Sequence, residues 1–505
     1  MAHSGKTESL KQNTADSSEC ALKQSVKTSE RQNETLIGSD LCGSDLSIDN
    51  LRGNVLCENA LSGNARYENA LRKYPAQALV DLNALRNNAA RLVETVNSAR
   101  SESGSGAAVM GVVKADAYGH GLIPAALASL AGGASWLGTA QPREALALRK
   151  AGIAKDRAHI LAWLFSCDYA PFEELIENDI DIAAGSFGTI RAVAAAAESA
   201  GKTARVHIKC DTGFGRNGFT EDNFDEALRI MKPFVSQGLI EVIGQFSHLA
   251  VADMPEIKEF EDCTDEQIKS FHRFTSKMSA AGLEPQIRHL ANSAATFTRP
   301  DIHFEMVRPG ISFYGYAPDV SMGTPDDFSL VPAMTLQTQL GTIKKIRKSC
   351  GISYGRKYVT ENETFAAIVP IGYADGIHRC ASGFNKAGYG AECKLGGPVK
   401  INTNAGTKIV RVSGRVCMDQ FIVDLGAQAD KEGIREGDTA VLFGPGKGVK
   451  YGQPTADDWA AAAGTISYEI FTCLRSRIPR LYLNGEFLCS KDIAMIENAV
   501  PGSVL

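Results

Sequence analysis

No stretch of the chain approaches the roughly 18 consecutive apolar residues of a membrane-spanning helix, which excludes such a helix. The opening residues, MAHSGKTESLKQNTADSSEC, contain no apolar run and do not read as a secretory signal. Neither sign of charge is in excess: 53 Lys and Arg face 58 Asp and Glu, for a net charge of −5. That balance gives no basis for binding nucleic acid or another polyanion. CxxC pairs are lacking, and no histidines cluster near the 12 cysteines, so no metal site is expected. With no secretory signal, the thiols are expected to be free in a reducing cytoplasm.

Aromatic residues are missing before Tyr67, and residues 1–73 are rich in Ser, Asn, Glu, Lys and Thr. Two echoes, GSDL at 38 and 43 and ENAL at 58 and 68, are too short to be a structural repeat. Such a segment cannot bury enough apolar area to offset its ordering entropy. It is expected to be a disordered extension with a short helix near 54–72, dispensable for folding and catalysis.

What remains is ordinary globular sequence, in a chain of 505 residues with 44% hydrophobic and 22% charged residues. Its length suits two to four domains. Apolar strand-like runs fall at 107–113, 135–140, 158–164, 180–185, 204–210, 240–247, 286–291 and 304–308. Helical patterns such as PREALALRKAG and TDEQIKSFHRFTSKMSAAG lie between them. Continuous apolar strands alternating with helices mean a parallel sheet. Eight such units predict an α/β (β/α)8 TIM-type barrel over 74–325, with an open doubly wound sheet as the rival. From 326 to 505, runs such as MTLQTQLGTIKKI, TFAAIVPIGYADG and DTAVLFG, separated by Gly-rich turns, predict a mainly β domain. A helix near 456–463 and a last strand, RLYLN, close it. GPGKG at 444–448 lacks phosphate-loop spacing and reads as a turn.

Barrel sites lie at the C-terminal ends of the strands. Lys114 follows strand one. Lys209 and then Arg216 follow strand five, and His248 follows strand six. Asn292 and Ser293 follow strand seven, and Arg308 ends strand eight. Burial lowers a lysine's pKa and makes its amine nucleophilic, which is what covalent attachment to a carbonyl requires. Ser293, Gly310 and Ile311 lie after strands seven and eight, where barrels commonly bind phosphate. A reactive lysine and a phosphate site on one mouth suggest pyridoxal phosphate.

VVKADAYGHG, around Lys114, closely resembles the cofactor-attachment signature of the alanine racemases. The likeness continues through HIKCDTGFGRNGF, FSHLAVAD, ANSAAT, VRPGISFYG, ISYGRKY, PIGYADG, GRVCMDQ and GTISYE, in the expected order from about 76 to 484. The resemblance implies a barrel followed by a β domain, and pyridoxal 5'-phosphate as cofactor. It implies a cytoplasmic homodimer with shared active sites that interconverts L- and D-alanine and supplies D-alanine for peptidoglycan. Lys114 would carry the cofactor covalently and act as one acid/base. Tyr354 would be the opposite base, supplied by the partner subunit, taking the proton from L-alanine while Lys114 takes it from D-alanine. Tyr118, Ser293, Gly310, Ile311 and Tyr468 would hold the phosphate, with Asn292 beside them. Arg308 would face the pyridine nitrogen, and His248 the cofactor ring and Arg308. Arg216 and the backbone of Met418 would orient the substrate carboxylate, Tyr373 would line the entrance, and Lys209 matches a position that is carbamylated in many relatives.

The nearest rival is a racemase for serine or with a broad preference, since one methylene is worth only about 1–3 kcal/mol of discrimination. A decarboxylase on the same architecture is disfavoured by Tyr354 and Arg308. A non-catalytic cofactor-binding barrel would not need the second domain.

Overall fold

The computed structural model describes residues 75–98, 106–387 and 392–499. The expected disordered extension and its helix near 54–72 lie outside them.

The described chain opens with β1 (Ala76–Asp81) and α1 (Leu82–Ser98). Eight strands follow: β2 (Ala108–Val112), β3 (Trp136–Thr139), β4 (His159–Ala162), β5 (Asp181–Ala184), β6 (Ala204–Lys209), β7 (Ile240–Phe246), β8 (Ile287–His289) and β9 (Met306–Val307). Each falls inside one of the apolar runs. They pair in parallel in the order β8-β7-β6-β5-β4-β3-β2-β9. Strands adjacent in sequence are adjacent in the sheet, and β9 returns to β2, so the sheet curls into a TIM-type barrel. Between β8 and β9 the link among the described residues lies just past the strands, where Arg308 N donates to Ala291 O at 2.9 Å.

The intervening helices are α2 (Leu122–Ala131), α3 (Pro142–Ala151), α4 (Phe172–Glu177), α5 (Phe187–Ala200), α6 (Glu221–Ser236), α7 (Lys258–Ala280) and α8 (Ser293–Thr298). Strand side chains alternate between the helical layer and the barrel interior. On β6, Val206 and Ile208 pack outward into the main core. A separate interior cluster joins Met110, Trp136, Leu161, Ala183, Ile243, Phe246 and Met306.

The second domain is mainly β. Its strands are β10 (Met334–Gln339), β11 (Ile343–Ile346), β12 (Gly351–Ile352), β13 (Tyr358–Val359), β14 (Thr364–Val369), β15 (Pro398–Thr403), β16 (Gly406–Arg411), β17 (Phe421–Gly426), β18 (Thr439–Phe443) and β19 (Arg480–Leu483). The helices α9 (Ala456–Ala463) and α10 (Ser467–Thr472) complete it, and α11 (Ser490–Ala499) packs back against α2 and α3 of the barrel. The helix expected at 456–463 is α9. The GPGKG segment is a turn, with Gly446 and Gly448 at φ +158° and +106°. The last strand, expected at RLYLN, is β19. One feature differs from the sequence reading: β1, counted with the barrel from its position, joins the six-stranded sheet β16-β15-β18-β10-β1-β19, antiparallel to β10 and parallel to β19. A short apolar strand carries no sign of its partners in its own pattern. Among the described residues no helix is long and apolar enough to cross a membrane.

Candidate active site at the barrel mouth

Lys114 leaves β2 into an unusual turn. Ala115, Asp116, Ala117 and Tyr118 all have φ between 51° and 55°, a run of left-handed backbone with no glycine in it. Such a conformation costs about 1–2 kcal/mol per L-residue and persists only where its surroundings over-determine it. They do so here. Glu144, buried at the N-terminus of α3, accepts from Ala115 N at 2.7 Å and from Ala140 N and Gln141 N at 3.0 Å each. Asp116 accepts from Leu122 N at 2.8 Å. His120 Nδ1 lies 2.9 Å from Tyr118 O, and Arg480 Nε donates to Gly119 O at 2.9 Å. Glu144 was not singled out in the sequence. Its one legible signal is the capping-box spacing Gln141-Pro142-Arg143-Glu144. Hydrogen bonds to a charged acceptor are each worth about 1.5–3 kcal/mol. Glu144→Ala, which strands three amides, is therefore expected to lose on the order of 3 kcal/mol or more in denaturant unfolding, and to displace Lys114.

The mouth is crowded with cations. Burial lowers the pKa of Lys114, Arg216 lowers it further, and Glu144 opposes them. Lys209, at the end of β6, is pulled down to about 8, first by burial and then by Arg216 and Arg308, with Asp211 opposing. Its Nζ lies 5.4 Å over the Phe246 ring. The Arg216 guanidinium rests 4.2 Å over Phe214. His248 is held neutral, first by burial and then by Arg308, Arg216, Lys114 and Lys209. These five residues, expected at strand ends, therefore share one mouth.

Arg308 is buried yet touches no carboxylate among the described residues. Burial brings its pKa down to about 9, still above neutrality, so it stays a cation. Nη1 donates to His289 O at 2.6 Å and lies 3.2 Å from His289 Nδ1. Nη2 donates to Ser247 O at 2.6 Å and Leu290 O at 3.3 Å, and lies 3.4 Å from His248 Nδ1. Nε forms no hydrogen bond with the described residues.

Beyond Arg308 lies a small polar cup. Gly310 N donates to Ser293 Oγ at 2.8 Å. A Cβ on Gly310 would sit 2.6 Å from Tyr118 Oη, so only glycine leaves this cradle open. Ile311 begins a short 3-10 turn, Ile311–Tyr314. Tyr468, on α10, brings its ring to 5.8 Å from that of Tyr118. Asn292 acts as the N-cap of α8, its Oδ1 accepting from Ala295 N at 3.1 Å.

The remaining three residues form a second patch on the β domain. Ser353 Oγ donates to Arg415 O at 2.7 Å, holding the turn with Tyr354 against the 414–418 loop. Tyr373 N donates to Cys417 O, and Ala374 N to Met418 O. Tyr354, Tyr373 and Met418 thus share one surface. Tyr354 is 70% exposed and Met418 53% exposed, and Tyr354 forms no hydrogen bond or ring contact with the described residues. Within the chain, the charged groups that act on Lys114 are Arg216 and Glu144.

Fold and mouth together define a (β/α)8 barrel with a buried lysine and three further cationic side chains gathered at the C-terminal ends of its strands. The sequence profile of the alanine racemase N-terminal domain matches residues 80–318, and that of the alanine racemase C-terminal domain matches residues 333–482. An alanine racemase from Thermobifida fusca is 46% identical over 407 residues, spanning 81% of this chain and 98% of its own length. One from Streptomyces coelicolor is 44% identical over 412 residues, 81% of this chain and 96% of its own. The crystal structure of alanine racemase from D-cycloserine producing Streptomyces lavendulae superposes with a TM-score of 0.72 at 42% identity, covering 82% of this chain and 98% of that one. The chain belongs to the alanine racemase family.

Proposed function

We propose that this protein is an isomerase that interconverts L- and D-alanine with pyridoxal 5'-phosphate seated in the barrel mouth, supplying D-alanine for peptidoglycan in the cytoplasm. The observation that carries the cofactor reading is a buried lysine of lowered pKa among three further cations, beside a cup kept open by a glycine. That donor set suits an aldehyde carrying a phosphate. Lys114 would hold the group covalently. Tyr118, Ser293, Gly310, Ile311 and Tyr468 would surround the phosphate, with Asn292 capping the helix behind Ser293. Arg308 Nε–H would meet the pyridine nitrogen, and His248 the ring. When bound, pyridoxal phosphate is the electron sink that makes the substrate's α-proton acidic.

The chain's own groups do the rest. Lys114 Nζ takes or returns the α-proton on one face, and Tyr354 Oη on the other. Arg308 would donate a hydrogen bond to the pyridine nitrogen without giving up its own proton. Arg216 and the Met418 backbone orient the substrate carboxylate, and Tyr373 lines the entrance. Lys209, near pH 8 a partly neutral amine, is suited to add CO2, and the resulting carbamate would pair with Arg216. Tyr354 and Met418 lie exposed on the β domain, which supports a homodimer in which each β domain completes the partner's barrel mouth.

Two measurements test this. Purified protein given L-alanine should drive optical rotation to zero, with L-serine run alongside for breadth. Borohydride reduction of the loaded enzyme, followed by peptide mapping, should mark Lys114. A label on Lys209 or another lysine would overturn the assignment.

A further inference from the structure

Inside the barrel, beneath Arg308, runs a line of polar side chains that the proposed mechanism does not use. His289 Nε2 lies 2.8 Å from His207 Nδ1. His207 Nε2 lies 3.1 Å from Asp181 Oδ2. Asp181 in turn accepts from Arg205 Nε at 2.8 Å and Nη2 at 3.2 Å. Asp181, His207 and His289 are at most 1% exposed. Space for the line is kept by Gly244 on β7, the register partner of His207, where a Cβ would sit 2.1 Å from His207 Nδ1.

We infer that Asp181, His207 and His289 are positioning residues, forming a one-way hydrogen-bond chain that orients Arg308 and supplies its distant counter-charge. The role at the cofactor rests on the reading above; the chain itself does not. Its direction follows from its two ends. A carboxylate only accepts, so His207 Nε2 carries a proton and donates to Asp181. Burial would raise the Asp181 carboxyl, but the bonds from His207 and Arg205 outweigh it and hold the group below the usual carboxylate range. At the other end a guanidinium only donates, so His289 Nδ1 must be bare. Burial, and then Arg308, keep His289 neutral, so its proton sits on Nε2 and is donated to His207 Nδ1. A doubly protonated His207 would force His289 to carry its proton on Nδ1, against an Arg308 N–H 3.2 Å away. One protonation pattern therefore satisfies every member. With both Nη groups of Arg308 occupied, Nε–H is the donor left for the mouth.

The test is side-chain 15N NMR of the histidine-labelled, deuterated enzyme, read with and without pyridoxal phosphate, with signals assigned by His207→Gln and His289→Gln. Both histidines should be neutral with the proton on Nε2. Asp181→Asn, which keeps the shape and removes the charge, should mix or reverse the tautomers. It should also shift the bound cofactor's absorption maximum and weaken its binding about tenfold. Gly244→Ala, pressing on His207, should move the same signals. A proton on Nδ1 of either histidine in the unsubstituted enzyme overturns the chain, and that reading needs no variant to fold. Unchanged tautomers and cofactor affinity in Asp181→Asn overturn its role. Failure of the parent to take up pyridoxal phosphate overturns the cofactor reading instead, while the tautomers seen without cofactor still decide the chain.

Discussion

Replacing Tyr354 by Phe is expected to abolish racemisation while sparing part of the solvent deuterium exchange at Cα of D-alanine. The substitution keeps the ring and removes only the ionisable oxygen. It lies on an exposed turn and forms no hydrogen bond with the described residues, so folding should be unaffected. On the proposed two-base reading, different bases on opposite faces make the enzyme chemically asymmetric, although the equilibrium between mirror images stays at one. Lys114 remains able to take the proton from D-alanine, whereas L-alanine loses its base. Loss of a positioned acid/base removes about 10²–10⁴-fold of rate, so exchange from L-alanine should fall by that factor and exchange from D-alanine much less. Mass spectrometry of each enantiomer in deuterium oxide reads the difference. Equal loss from both would show that Tyr354 organises the site instead of moving a proton.

Mixing two inactive proteins should restore activity. Lys114→Ala removes the amine from the barrel mouth, and Tyr354→Ala removes the hydroxyl from the β domain. Each homodimer then has two defective sites. On the proposed shared-site reading, a mixed dimer has one site lacking both groups and one with both intact, because Lys114 would come from one chain and Tyr354 from the other. Random reassortment of a two-fold dimer should return roughly a quarter of the parental rate. The assay is racemisation after dissociation and reassociation, with each variant alone as the control. Full activity in a monomer at assay concentration, or no recovery in mixtures proven to contain hybrids, would mean that sites are not shared.

The barrel was legible because strands buried on both faces in a parallel sheet must be apolar along their whole length. All eight barrel strands lie within such runs, and the residues just past them gather at one mouth. Tyr354 was different. Nothing in its spacing distinguishes it from a turn tyrosine, and only the resemblance singled it out. The left-handed turn after Lys114 left no pattern, since Ala115, Asp116, Ala117 and Tyr118 are not residues that announce a positive φ. Glu144 was hidden within an ordinary helix start. The Asp181–His207–His289 line left a fainter trace. Arg205, His207 and Lys209 alternate along an otherwise apolar β6, the period of a strand face turned into the barrel. The partners of β1 were not legible, because sheet neighbours far apart in sequence are chosen by the finished fold.

That placement of β1 has a consequence for the newborn chain. The strand emerges before the whole barrel, yet both neighbours that complete its hydrogen bonds, β10 and β19, emerge after it. Ribosomes add about 5–20 residues per second. With β10 starting at Met334 and β1 ending at Asp81, the first strand waits roughly 13–50 seconds for its first partner at that pace. Throughout that interval an apolar edge, AQALV, is free to pair with another nascent chain. The slow step in making this enzyme is therefore expected to be the late capture of its earliest strand, and crowding on the polysome to be the condition that most lowers its yield.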